Sequence, residues 1–115
     1  MSKRILIIGF VWPEPTSSAA GWRMLQLIKQ LKAYTSDIHF ACAALKSEAS
    51  FPLEDLGIIE HAIILNDDSF NTFISSLKPD IVVYDRFMIE EQFGWRVKQE
   101  LPDCLTILDT EDLHY

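Results

Sequence analysis

The 115-residue chain is 49% hydrophobic and 23% charged, and ten Lys and Arg against seventeen Asp and Glu leave a formal charge of −7. The length fits one domain or part of one, at ~100–200 residues per domain. The composition excludes a disordered chain, which lacks the apolar residues for a core, and a membrane span, because no run of ~18 uncharged apolar residues occurs. The acidic balance argues against nucleic acid as a partner, since phosphates require a basic face.

Residues 4–10 form a continuous apolar run, the mark of a strand buried on both faces as in parallel sheets. A signal peptide is the competing reading. The apolar core is short, however, and residues 9–15 continue without a small-residue cleavage site, so a cytoplasmic protein is expected. Residues 11–18 read as a loop broken by Pro13 and Pro15, with Ser17 or Ser18 able to cap the next helix. Residues 19–34 read as that helix, because Met24, Leu25, Ile28 and Leu31 repeat at three- and four-residue spacing. Residues 38–45 read as a second strand and 58–65 as a third, with a short helix or turn around Phe51, Leu53 and Leu56 between them.

Residues 66–69 read as the start of a second long helix carrying Phe70, Phe73, Ile74 and Leu77, stopped by Pro79. Residues 80–85 are a fourth strand. Ile89, Phe93, Val97 and Leu101, four apart, mark a third long helix that ends at Pro102, and residues 104–109 are a fifth strand. Strands alternating with helices imply right-handed crossovers and a parallel sheet. The expectation is an α/β, Rossmann-like three-layer sandwich with a five-stranded parallel sheet of order 3-2-1-4-5. In that order Cys42 and Cys104 lie too far apart for a disulfide. Neither belongs to a CxxC motif, so both read as buried thiols.

In an open parallel sheet a ligand binds outside the carboxyl ends of the strands, where the strand order switches. The switch falls between strands one and four, and the loops there hold this chain's unusual residues. In the first loop, Ser17, Ser18 and Gly21 at a helix start suit a phosphate or a sugar hydroxyl, with Arg23 just beyond. The alternative is a proline-stiffened loop with a serine cap. The loop is neither a G-x-G-x-x-G turn nor a P-loop. Trp12 and Trp22 can stack on a sugar ring or pack the loop onto the helix. Asp85 accepts hydroxyl donors and Arg86 holds an anion, or the two pair with each other, or Asp85 caps the next helix. Asp109, Glu111, Asp112 and His114 crowd the end of strand five and suit a metal or acid–base chemistry, against a reading of Asp109 and Asp112 as simple caps. No metal, no cofactor and no catalytic residue is assigned from these patterns. His39 and His61 read as ordinary strand residues.

The segments ILIIGF, WPEPTSSAAGWR, RMLQLIKQL, PDIVVYDRF and TILDTEDLH, in this order and spacing, resemble the N-terminal domain of GT-B glycosyltransferases, most closely the retaining family-four group. The resemblance rests on Pro13, Pro15, Ala19, Ala20 and Gly21, on Arg23, on Pro79-Asp80-Ile81, and on Asp109, Asp112 and His114, and it spans the chain. It implies transfer of a sugar from a nucleotide-sugar donor to a glycan or small-molecule acceptor, with two Rossmann-like domains facing across a cleft. The N-terminal one shapes the acceptor side, and the substrate-binding residues would be Trp12, Ser17, Ser18, Gly21, Arg23, Asp85, Arg86, Asp109, Asp112 and His114. On this reading the chain is an incomplete N-terminal domain, inactive alone, with an uncovered strand-five edge that invites a homodimer. The competing readings are a stand-alone flavodoxin-like or receiver-like module and a pure interaction domain.

Overall fold

A computed structural model of the chain describes residues 3–14, 19–48 and 50–109. In chain order the elements are β1 (Ile5–Gly9), α1 (Ala19–Leu31), β2 (Ile38–Cys42), a 3₁₀ turn (Leu53–Leu56), β3 (Ile59–Ala62), α2 (Ser69–Leu77), β4 (Ile81–Asp85), α3 (Phe87–Glu100) and β5 (Leu105–Asp109). All four strand pairings are parallel, and the sheet order is β3-β2-β1-β4-β5. This is the expected Rossmann-like α/β topology.

The central strands are apolar on both faces because helices cover both faces. Ile5, Ile7, Ile38, Phe40 and Val83 face α1 and meet Met24, Leu25 and Ile28. Leu6, Ile8, Ala41, Val82 and Tyr84 face α2 and α3 and meet Phe70, Ile74, Ile89, Phe93 and Val97. Gly9 ends β1 where the Phe40 ring crosses it. A Cβ there would lie 2.2 Å from Phe40 Cζ, so only glycine fits without moving the ring.

Three elements are shorter than the sequence suggests: β2 ends at Cys42 rather than at residue 45, and β3 and α1 also stop early. β3 pairs with β2 only from Ile59 to Ala62, since β2 itself ends at Cys42, and the Ile63 N–H makes the last bond across, to the Cys42 carbonyl at 3.1 Å. α1 stops at Leu31, where the Ala33, Tyr34 and Thr35 N–H groups turn back onto Gln30 and Leu31 carbonyls. At the outer edge, Leu105 and Ile107 of β5 stand in register with Ile81 and Val83 but are 57% and 45% exposed, because α1 does not reach them. Both cysteines are free, in β2 and just ahead of β5, and burial pushes both thiols above their ordinary value.

Candidate functional site

The connection from β4 to α3 is one residue long: the strand ends at Asp85 and the helix begins at Phe87. Arg86 makes the whole turn. Its backbone has φ 70° and ψ 163°, a region nearly reserved for glycine, and its N–H donates to the Asp109 carbonyl at 2.9 Å. Such an outlier persists only where the surroundings over-determine it, and it costs about 1–3 kcal/mol.

Asp85, 4% exposed, sits beside this turn. Its Oδ2 accepts the Phe10 N–H at 3.2 Å, which ties the end of β4 to the loop after β1. Its Oδ1 lies 3.5 Å from Arg86 Nε in poor hydrogen-bonding geometry. Oδ1 and Nε are both buried, and neither makes a hydrogen bond among the described residues. Burial raises the Asp85 carboxyl above its ordinary value; the Phe10 N–H and the Arg86 charge oppose this, and the Asp109 charge, in register on β5, adds to it. The Arg86 guanidinium covers the Phe10 ring, 4.8 Å from its centroid. Of the readings open for Asp85 in the sequence, the helix cap is not realised, since α3 has no side-chain cap bond, and the pairing with Arg86 is only loosely made.

Two cavities open at this end. One, about 280 Å³, lies beside Asp109 against α1 and is lined by Trp22, Arg23, Gln26, Leu27 and Gln30. The other, about 400 Å³, lies between Gly9 and Phe10, the chain after β2 and β3, and the first turns of α3. The structure therefore gathers Trp22, Arg23, Asp85, Arg86 and Asp109 at the switch point. Trp12 is different: it packs into the core, 4% exposed, with Nε1 donating to the Ala44 carbonyl at 2.7 Å, one face against Phe40 and Lys46 over the ring. It offers no free face to a sugar. Gly21 is buried where a Cβ would meet the Glu14 backbone at 2.5 Å, so it lets the loop close onto α1. Ser17, Ser18, Glu111, Asp112 and His114 lie outside the described residues.

One polar chain, running from the amino ends of β1 and β2 to His61 within β3, is not evident from the sequence. Arg4 Nε donates to Asp37 Oδ2 at 3.0 Å, Asp37 Oδ1 meets His39 Nε2 at 2.8 Å, and His39 Nδ1 meets His61 Nε2 at 2.9 Å. Burial, and then the neighbouring His39, push the His61 imidazole below its ordinary value. Burial pushes Asp37 up, but Arg4 and His39 more than offset it and hold the carboxyl low. The only signal in the sequence is a histidine on each of two strands that must pair, and the contact needs their register. No group of three His, Cys, Asp or Glu among the described residues is placed to hold a metal ion.

These features define a class: a Rossmann-like α/β domain with one strained, incompletely bonded pair, Asp85 and Arg86, at the strand-order switch. The chain matches no protein-family model and no curated protein. Among the described residues, no helix is long and apolar enough to cross a membrane.

Proposed function

We propose that this chain supplies the acceptor-side, N-terminal domain of a GT-B glycosyltransferase of the retaining family-four kind, which moves a sugar from a nucleotide-sugar donor to an acceptor. The observation that carries the reading is the Asp85–Arg86 pair. At the switch point a buried carboxylate oxygen and a guanidinium N–H stand side by side with no hydrogen-bond partner among the described residues. Buried polar groups left unbonded cost about 1–3 kcal/mol each, more when charged, and a ligand that bonds them recovers that cost. The carboxylate takes a hydroxyl proton; the guanidinium takes an electronegative oxygen. Arg23, Trp22 and Asp109 at the neighbouring cavity extend the polar surface.

The test is an amide NMR titration of the chain with uridine and guanosine diphosphate sugars and with flavin mononucleotide. The reading expects the diphosphate sugars to move the Asp85, Arg86 and Asp109 amides at millimolar concentration, and expects Asp85→Asn to weaken the effect. Tight binding of the flavin nucleotide instead, or shifts at those amides that Asp85→Asn leaves unchanged, overturns it; silence towards every nucleotide fits an incomplete acceptor-side domain. The exposed Leu105 and Ile107 support self-association through β5. Light scattering at high concentration should give twice the chain mass, and a monomer at every concentration counts against it.

A further inference from the structure

A further cavity, about 410 Å³, lies on the flank of the sheet, between α3 and the β4–β5 pair. Asp85, Arg86 and Asp109 do not line it, so it is separate from the switch point. A tyrosine reaches into it from the sheet. Tyr84 is 2% exposed, yet its hydroxyl makes no hydrogen bond among the described residues. Burial, and then the nearby Cys104 and Glu90, raise this phenol above its ordinary value, so the group stays a neutral O–H, donor and acceptor both. Gly94 leaves it open. A glycine in the middle of a helix weakens the helix. Here a Cβ would stand 3.7 Å from the Tyr84 hydroxyl oxygen and 3.3 Å from Glu90 Cγ, and its absence exposes the hydroxyl to the cavity that all three residues line.

The other walls carry both signs of charge and one indole. Glu90 and Glu91 bring carboxylates, Lys98 an ammonium, and Trp95 a ring that is 56% exposed. The Arg96 guanidinium lies over that ring, 4.4 Å from its centroid, and is itself buried and bonded to Asp68 at 3.1 Å and Asn71 at 2.5 Å. The ring is thus held in place before a ligand arrives, which lowers the cost of ordering it. This set of groups sorts ligands by chemistry. An anion meets two carboxylates for one ammonium. A quaternary ammonium has neither donor nor acceptor for the Tyr84 hydroxyl, and Arg96 already gives the indole its cation. A wholly apolar group would strip water from charged side chains and return no bond. A pyranose satisfies them all: its hydroxyls donate to the carboxylates, accept from Lys98 and pair either way with Tyr84, while its C–H face packs on the indole. The volume falls in the ~300–1,000 Å³ range of small-molecule sites. We infer that this flank binds a neutral pyranose, stacked on Trp95, with one hydroxyl on Tyr84 and others on Glu90, Glu91 and Lys98. The inference does not depend on the glycosyltransferase reading, which places its nucleotide sugar at the switch point.

The experiment follows backbone amides of the whole chain by NMR, in dilute solution so that the β5 edge stays free of a second copy. The probes are the methyl pyranosides of glucose, galactose and mannose, tetramethylammonium chloride, and inorganic phosphate. At least one pyranoside should shift the Glu91, Gly94, Trp95 and Thr106 amides saturably at millimolar concentration. Trp95→Ala, at an exposed position where the fold tolerates the change, should weaken that sugar by about tenfold, the loss expected of a stacked ring. Tyr84→Phe keeps the packing and removes only the unbonded hydroxyl, so it should weaken the sugar by roughly threefold to tenfold and leave Tm unchanged. Indifference to all three pyranosides, tighter binding of tetramethylammonium or phosphate at the same amides, or sugar shifts that survive Trp95→Ala each overturn the inference. The Asp85, Arg86 and Asp109 amides report separately on the diphosphate sugars, so failure of the flank site leaves the switch-point reading standing, and failure at the switch point leaves the flank site standing.

Discussion

Trp12 separates a core role from a ligand-stacking role by magnitude. In the structure Trp12→Phe removes the indole N–H bonded to the Ala44 carbonyl at 2.7 Å and the outer ring of a residue that is 4% exposed. The lost hydrogen bond is worth about 1 kcal/mol net. The lost contact, roughly 40 Å² of apolar surface at ~25 cal/mol per Å², is worth about another 1 kcal/mol, and the space left beside Phe40 adds to it. The expected loss is therefore about 2–3 kcal/mol, which in a domain of this size lowers Tm by roughly 8–12 °C. Urea unfolding monitored by far-ultraviolet circular dichroism measures it without relying on tryptophan fluorescence. Trp22→Ala, at a 56% exposed position, is the control and should stay within about 0.5 kcal/mol of the parent. A Trp12→Phe protein as stable as the Trp22→Ala protein would refute the packing argument and return Trp12 to the ligand surface.

The titrating and strained groups give two further expected outcomes. The folded chain holds His61 below the ordinary imidazole value of 6.5, so the unfolded chain binds the proton first. Stability is full above that value and drains away as pH falls from it towards the lower folded value. His61→Gln should flatten this loss in urea titrations run between neutral and mildly acid pH, and an unchanged pH profile would contradict the assignment. At the β4–α3 turn, Arg86→Gly relieves a backbone that Arg86→Ala leaves strained, so the glycine variant should be the more stable of the two by about 1 kcal/mol; equal stabilities would mean that the turn holds no strain.

Much of the fold is legible in the chain because burial on both faces writes itself as contiguous apolar sequence. Ile5–Gly9, Ile38–Cys42 and Ile81–Asp85 are fully or almost fully buried, and Met24, Leu25 and Ile28 form a stripe with the helical period. The third strand is shorter than its apolar run for a related reason. Ile64 and Leu65 lie beyond the last bond to β2 and wall the cavity beside Phe10 instead, and a linear pattern does not separate the two uses. The switch-point residues Asp85, Arg86 and Asp109 can be placed from topology alone, whereas the positive-φ Arg86 backbone and the unsatisfied Asp85 oxygen are tertiary facts. Trp12 reads as a crevice residue in the sequence because a loop tryptophan does not reveal which way its loop folds. His39 and His61 are 22 residues apart, and only the register of β2 on β3 brings their nitrogens together.

The two ends of the sheet are bonded in opposite ways, and this decides where substitutions will be felt. At the amino end, the Arg4 N–H donates to Asp80 Oδ2 at 2.8 Å and its side chain reaches Asp37 and the Leu77 carbonyl. Thr35 Oγ1 closes on the Lys3 carbonyl at 2.6 Å, and Asp37 continues into the histidine pair. That one corner ties β1 to β2, β4 and α2 through a continuous polar network. At the carboxyl end, Asp85 and Arg86 keep orphaned atoms and a strained turn. A fold tolerates such a strained corner only if its cooperativity is secured elsewhere, and here the amino-end network and the two apolar faces secure it. Arg4→Ala should therefore weaken folding and leave the ligand-facing amides in place. Asp85→Asn, which removes a buried, poorly compensated charge, should spare or even raise stability while it weakens the ligand.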